Sequence, residues 1–299
     1  MTVLTSLCAA TSVAIGAIYM FAAGAPARYV AINAAALMVG VVAASVMRRV
    51  SVRDHGLRGA STVAIGLLLL ATAFYGIHLE GASRWIRVAG MSLQPSLILL
   101  PPAMVHFARE RGWLSSIGLV IASIGLAMQP DRAMAGTLAL GLTALFLHRR
   151  EPSVTIALAA SIGGFAATLL SADVVAPASF VERVVQAAFA FHALAGLAIV
   201  SGLATMLVPA VAQGARSQDR EVFAMFGATW LAVIAFAFAG NYPTPLVGYG
   251  SSAILGYCLS AAVLSTHPSV ENGAPGRIRT CGLWLRGSTF YPTELRAVC

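Results

Sequence analysis

Residues 81–96 read Gly-Ala-Ser-Arg-Trp-Ile-Arg-Val-Ala-Gly-Met-Ser-Leu-Gln-Pro-Ser, a polar, twice-basic, Trp-bearing stretch between two strongly apolar segments. Such a stretch suits the water edge of a bilayer. Trp keeps its apolar body at the membrane interface and its N–H in water, and Arg stays hydrated. The rest of the chain agrees. It is 59% apolar and only 10% charged, with a mean hydropathy of +0.83. A soluble domain of this length could not hide that much apolar surface.

A spanning helix needs about 20 mostly apolar residues. Near-uncharged runs occur at 3–24, 29–47, 59–79, 93–106, 113–130, 133–147, 152–172, 186–212, 222–240 and 247–265. They predict an all-α, polytopic integral membrane helical bundle of about ten transmembrane helices over residues 1–267. The first run has no Arg before it and is longer than the apolar region of a secretion signal, so it reads as a first span rather than a cleaved leader.

The chain has no lysine. With the N-terminus inside, Arg48, Arg49, Arg53, Arg58, Arg109, Arg111, Arg149, Arg150, Arg216 and Arg220 fall in cytoplasmic loops, against Arg28, Arg84, Arg87, Arg132 and Arg183 outside. This is the positive-inside bias of a membrane protein with both termini cytoplasmic. It places the Trp85 stretch, the turn Gln129-Pro130-Asp131 and residues 243–250 on the outer side. The net charge of +8 is therefore mostly topology. Its cations are scattered over short loops rather than gathered on one aromatic-bearing surface, so no nucleic-acid partner is expected. Cys8, Cys258, Cys281 and Cys299 show no spacing for a metal or a disulfide framework, and no cofactor is implied.

Three ordered motifs, Gly81–Ser96, Gln129-Pro130-Asp131 and Pro243–Ser252 ending Gly248-Tyr249-Gly250-Ser251-Ser252, resemble the signatures of the SEDS family, the FtsW/RodA/SpoVE group. That resemblance implies a bacterial inner-membrane protein of cell-wall assembly, cell division or cell shape. It implies a lipid-linked peptidoglycan precursor as ligand, a single-span penicillin-binding protein as partner, and the lipid bilayer around both. It further implies a substrate-binding surface from Arg84, Trp85, Arg87, Gln94, Ser96, Gln129, Asp131, Tyr249, Ser251 and Ser252. Arg84 and Arg87 would fork onto the diphosphate, since guanidinium binds phosphate oxygens bidentately.

Each of these residues also has a plainer reading. Trp85 and the arginines suit an interfacial anchor. Asp131 suits a helix N-cap, with Arg132 pairing to it or to Glu80. Gln94 and Ser96 suit backbone left open near Pro95 and Pro101-Pro102. The small residues Gly248, Gly250, Ser251 and Ser252 suit close helix packing. His192 is an intramembrane His and hence a candidate by type. His78 and Glu80 lie close to the same loop.

The chain also departs from the family. Leu97 and Leu100 stand where the family pattern has Glu and Lys. The long outer loop with its I-G-S-G-G and H-T-D-F segments is replaced by residues 172–185, whose only carboxylates are Asp173 and Glu182. Glycosyl transfer needs a base held at the acceptor hydroxyl. Asp173, Glu182 and Asp131 are the candidates, and none maps onto the family's Asp. The expectation is a family member with lost or altered glycosyltransferase activity. The alternatives are a residual glycosyltransferase using lipid II and a lipid-linked precursor flippase or transporter.

Residues 268–299 form a polar tail that resembles a reading frame running antisense through a tRNA gene. Ile278-Arg279-Thr280 can be coded by the complement of a T-arm, and Pro292-Thr293-Glu294-Leu295 by the complement of a D-arm. The tail is expected to be disordered and without function of its own.

Overall fold

The computed structural model describes residues 2–49, 55–88, 90–171, 175–215 and 217–265. The tail at 268–299 and Asp173 lie outside the described residues. In chain order the elements are α1 (Val3–Ala22), α2 (Ala27–Arg49), α3 (His55–Tyr75), β1 (Ile77–Leu79), β2 (Ala82–Val88), β3 (Met91–Leu93), α4 (Pro95–Glu110), α5 (Trp113–Met128), α6 (Arg132–His148), α7 (Pro152–Leu169), α8 (Val184–Phe191), α9 (Ala193–Gly214), α10 (Arg220–Ala239) and α11 (Ser251–Leu264). Among the described residues, α1, α2, α7, α9 and α10 are long and apolar enough to cross a membrane, and α5, α6, α11 and residues 59–75 of α3 are shorter apolar helices. The expected polytopic helical bundle is the architecture found.

Two boundaries differ from those read off the apolar runs. Helix α3 stops at Tyr75, because Ile77-His78-Leu79 gives its backbone to pairing with β2. The run at 186–212 is not one helix. His192 is extended (φ −166°, ψ 140°) and separates α8 from α9, and Phe189 of α8 lies back against Gly196 of α9. The 22 residues of α9 suffice to cross a bilayer at about 1.5 Å of rise per residue. Helix α8 precedes that segment, and His192 is the joint between the two.

Helix α4 is central, packing against α3, α5, α6, α10 and α11. Leu100, Met104, Val105, Phe107 and Ala108 are fully buried along it. Pro95 opens the helix at a position where a missing N–H costs nothing. Pro101 and Pro102 lie inside it. A proline has no N–H for the carbonyl four residues back, so the Leu97 carbonyl has no helical partner and faces Gly256 of α11.

The loops assigned to the cytoplasm by their arginines meet at one end of the bundle. Arg111 binds Glu151 at 2.8 Å, Arg149 binds Glu221 at 2.9 Å and Arg109 reaches Asp219 at 3.4 Å. Residues 77–88 and 90–93 and the 240–250 segment occupy the opposite end, where α3, α4, α10 and α11 begin or finish.

Candidate functional site

Within the 81–96 stretch, Ala82–Val88 and Met91–Leu93 are β-strands, and Pro95 and Ser96 open α4. Glu80 (φ 46°) and Gly81 (φ 86°) are both left-handed, as a tight two-residue hairpin turn requires. This sets Leu79 opposite Ala82. Strand β2 then pairs with β3 through Ile86–Leu93, Arg87–Ser92 and Val88–Met91.

The register of β2 slips between Ala82 and Trp85, where three residues of β2 step against two of β1, so Arg84 lies in an irregular part of the strand and Arg87 in the regular part paired with β3. Arg84 is only 3% exposed. Its guanidinium donates to the Pro130 carbonyl and lies over the rings of Tyr242 and Trp85, at 5.6 and 6.0 Å. Arg87 is exposed and Trp85 half-buried. The two arginines therefore do not form a single fork. Arg84 ties the hairpin to the Gln129-Pro130-Asp131 turn, and Arg87 is left facing out.

The three motifs meet at Asp131, which is completely buried. Its Oδ1 accepts from the Met134 N–H at 3.3 Å, capping α6. Its Oδ2 accepts from Gln94 Nε2 at 2.9 Å and from Ser96 Oγ at 2.7 Å. Gln94 precedes Pro95 as the cap residue of α4 but makes no side-chain cap bond there, so its amide is available for Asp131. The Gln94 backbone N–H donates to Ser252 Oγ at 2.9 Å, joining the third motif. Gln129 is buried too. Its amide donates to the Leu69 carbonyl of α3, and its own carbonyl accepts from the Ser83 N–H at 3.4 Å.

Gln94 and Ser96 thus serve a carboxylate rather than backbone opened by prolines. Arg132 pairs with neither Asp131 nor Glu80. It donates to the Ser171 carbonyl at 2.9 Å and the Thr168 carbonyl at 3.3 Å, at the C-terminal end of α7. Glu80 accepts from the Ala176 N–H at 3.0 Å, and the His78 ring meets Ser83 Oγ at 2.6 Å. Leu97 and Leu100 are buried in the apolar core, 4% and 0% exposed.

The late motif is held by a residue that the sequence did not single out. Asn33 of α2 is fully buried. It donates to the Gly248 carbonyl at 2.8 Å and accepts from the Gly250 N–H at 3.1 Å. Tyr249 stacks on Tyr29 with ring centres 3.9 Å apart. Ser251 is half-buried and Ser252 buried. The signal for Asn33 was one amide inside the apolar run 29–47, where an unpartnered polar group is costly. Nothing in the sequence named its partner.

The short segment after α7 packs onto the same loop. Thr244 N–H donates to the Val181 carbonyl at 2.8 Å, and Tyr249 N–H to the Phe180 carbonyl at 2.6 Å. Glu182 forms a β-bridge with Pro243, and its carboxylate accepts from the Ala178 N–H at 2.7 Å. Burial pushes the Glu182 carboxyl up to about 7, and the backbone N–H bonds of Ala178 and Glu182 offset this only in part. The folded state then holds a proton that the unfolded chain releases near 4.5. Stability should fall as pH rises from about 4.5 to about 7. Glu182→Gln should remove that part of the pH dependence. Thermal midpoints of the two proteins at pH 5 and pH 8 check this, and an equal drop in both would contradict it.

His192 is exposed, and its Nδ1 accepts from the Leu194 N–H at 3.2 Å. It caps α9 and so ends α8 rather than sitting inside a continuous helix. Among the described residues no group of His, Cys, Asp and Glu could hold a metal ion.

The family model for the FtsW/RodA/SpoVE cell cycle proteins matches residues 2–192. Among solved structures, the rod shape determining protein RodA of Thermus thermophilus aligns with a TM-score of 0.65 at 19% identity, over 87% of this chain and 94% of that one. A mutant of the same RodA aligns with a TM-score of 0.64 at 18% identity and the same coverage. At that identity the likeness concerns the fold. No curated protein matches this chain.

Proposed function

We infer, from a chain that belongs to the FtsW/RodA/SpoVE family of cell cycle proteins, that this multi-pass membrane protein serves peptidoglycan assembly in the bacterial inner membrane, in cell division or cell shape, with its glycosyltransferase activity lost or altered. One observation carries the reading. The family's motif residues Gln94, Ser96, Asp131 and Ser252 are buried and bonded to one another, and leucines fill the positions where the resemblance expects Glu and Lys. A catalytic base must reach the acceptor hydroxyl, and a fully buried Asp131 engaged by three donors reaches none.

What remains on the outer surface is Arg87 beside the half-buried Trp85. An exposed guanidinium at the membrane edge suits the diphosphate of a lipid-linked precursor. The protein would hold that precursor, or a single-span penicillin-binding partner, without polymerising glycan. Arg87→Gln should weaken lipid II binding roughly tenfold, the worth of one charge-assisted hydrogen bond, at unchanged folded yield. Arg84→Gln should instead lower the yield, because it removes a strut between the hairpin and the Pro130 turn. Titration of the purified variants with lipid II tests the reading, and unchanged binding in Arg87→Gln would sink it.

A residual glycosyltransferase is favoured by one observation only, the Glu182 carboxyl at about 7. Such a carboxyl could exchange a proton near neutral pH.

A further inference from the structure

The basic end of the bundle carries a crevice that the envelope role does not use. It lies between the end of α9 and the start of α10 and has a volume of about 430 Å³. Its walls include Ala210, Val211, Gly214, Phe223, Ala224 and Gly227, and among the described residues its one charged lining residue is Arg220. The flanking acids are already engaged. Asp219 meets Arg109 at 3.4 Å, and Glu221 meets Arg149 at 2.9 Å and Arg111 at 3.8 Å. Arg220 is exposed and has no carboxylate partner among the described residues.

In a bilayer an apolar crevice is filled by hydrocarbon, since water there would find few polar partners. A cation at its mouth, on the side that the arginines mark as cytoplasmic, selects what the hydrocarbon is attached to. Basic pockets between helices on that side suit anionic headgroups.

We propose that the α9–α10 crevice binds an anionic glycerophospholipid of the cytoplasmic leaflet, one acyl chain lying along Val211 and Phe223 and the phosphate paired with Arg220. This site is independent of the precursor-binding reading, being at the other end of the bundle. Gly214 and Gly227 let α9 and α10 pack closely at the back of the crevice, where an added Cβ would meet Phe223 or Ala210 at 2.9 Å, and the pairing of Asp219 and Glu221 with other arginines removes the local repulsion that would otherwise oppose a phosphate.

The test is native mass spectrometry of the full-length, delipidated protein, titrated with phosphatidylglycerol and with phosphatidylcholine of identical acyl chains. The wild type should retain phosphatidylglycerol about fivefold better, the worth of one arginine near an anionic headgroup. Arg220→Gln should abolish that preference while still binding both lipids. Ala224→Leu, which projects a larger side chain into the crevice, should reduce retention of both. Equal retention of the two lipids by the wild type would overturn the proposal whatever the variants do. So would a preference that survives Arg220→Gln.

Discussion

Asp131→Ala should cost about 3 kcal/mol or more, as it orphans three buried donors at once. Gln94 Nε2, Ser96 Oγ and the Met134 N–H all end on that carboxylate, and α6 also loses its cap. The loss should appear as a large fall in the thermal midpoint of the detergent-solubilised protein, with little folded material at growth temperature. Asp131→Asn should be milder. Its oxygen can still accept from one side, while its amide meets the other donors. A thermal midpoint for Asp131→Ala within a degree or two of wild type would mean that the motifs do not meet as described.

Gly256→Ala should be comparably damaging for a steric reason. A Cβ at Gly256 would lie 2.1 Å from the Leu97 carbonyl oxygen, and that atom is backbone of the central helix, so neither partner can swing away. Overpacking of this kind costs about 1–3 kcal/mol and sometimes more. Gly163→Ala is the matching control, since a Cβ there meets nothing within 4 Å. Comparing the two variants by thermal unfolding separates a packing defect from a general effect of added methyl groups on helices. Equal behaviour of the two would refute the close α4–α11 approach.

Much of the fold was legible because lipid imposes a simple rule. Every spanning segment must be apolar and satisfy its own backbone, so the runs of Ala, Val, Leu and Ile mark the helices directly. The hairpin was not legible. Its first strand, Ile77-His78-Leu79, is apolar enough to read as the end of α3, and three residues carry too little alternation to signal a strand. That omission carried through to the site. Spacing alone let Arg84 and Arg87 be taken as a pair, whereas the fold buries Arg84 against the Pro130 turn and leaves Arg87 exposed. The break at His192 depends on one residue's backbone angles, for which Ala-Phe-His-Ala offers no Gly or Pro as a cue.

The motif residues themselves were found, but their partners were not. The cap role of Asp131 followed from its place before an apolar run. Its bonds to Gln94 and Ser96 join residues 37 and 35 positions away, and local pattern says nothing about contacts of that range. Asn33 shows the same limit. Its amide was visible in the apolar run, but its two bonds reach Gly248 and Gly250 across 215 and 217 positions.

The most direct test of the central claim, that the family motifs here close on themselves rather than form a working active site, is lipid II polymerisation by the purified protein, alone and with a candidate penicillin-binding partner. A positioned base is worth about a hundredfold to ten-thousandfold in rate, so the expected product is little or no glycan chain above a protein-free control. Robust glycan synthesis that disappears in Glu182→Gln or Asp173→Ala would contradict the claim and make this chain an active polymerase.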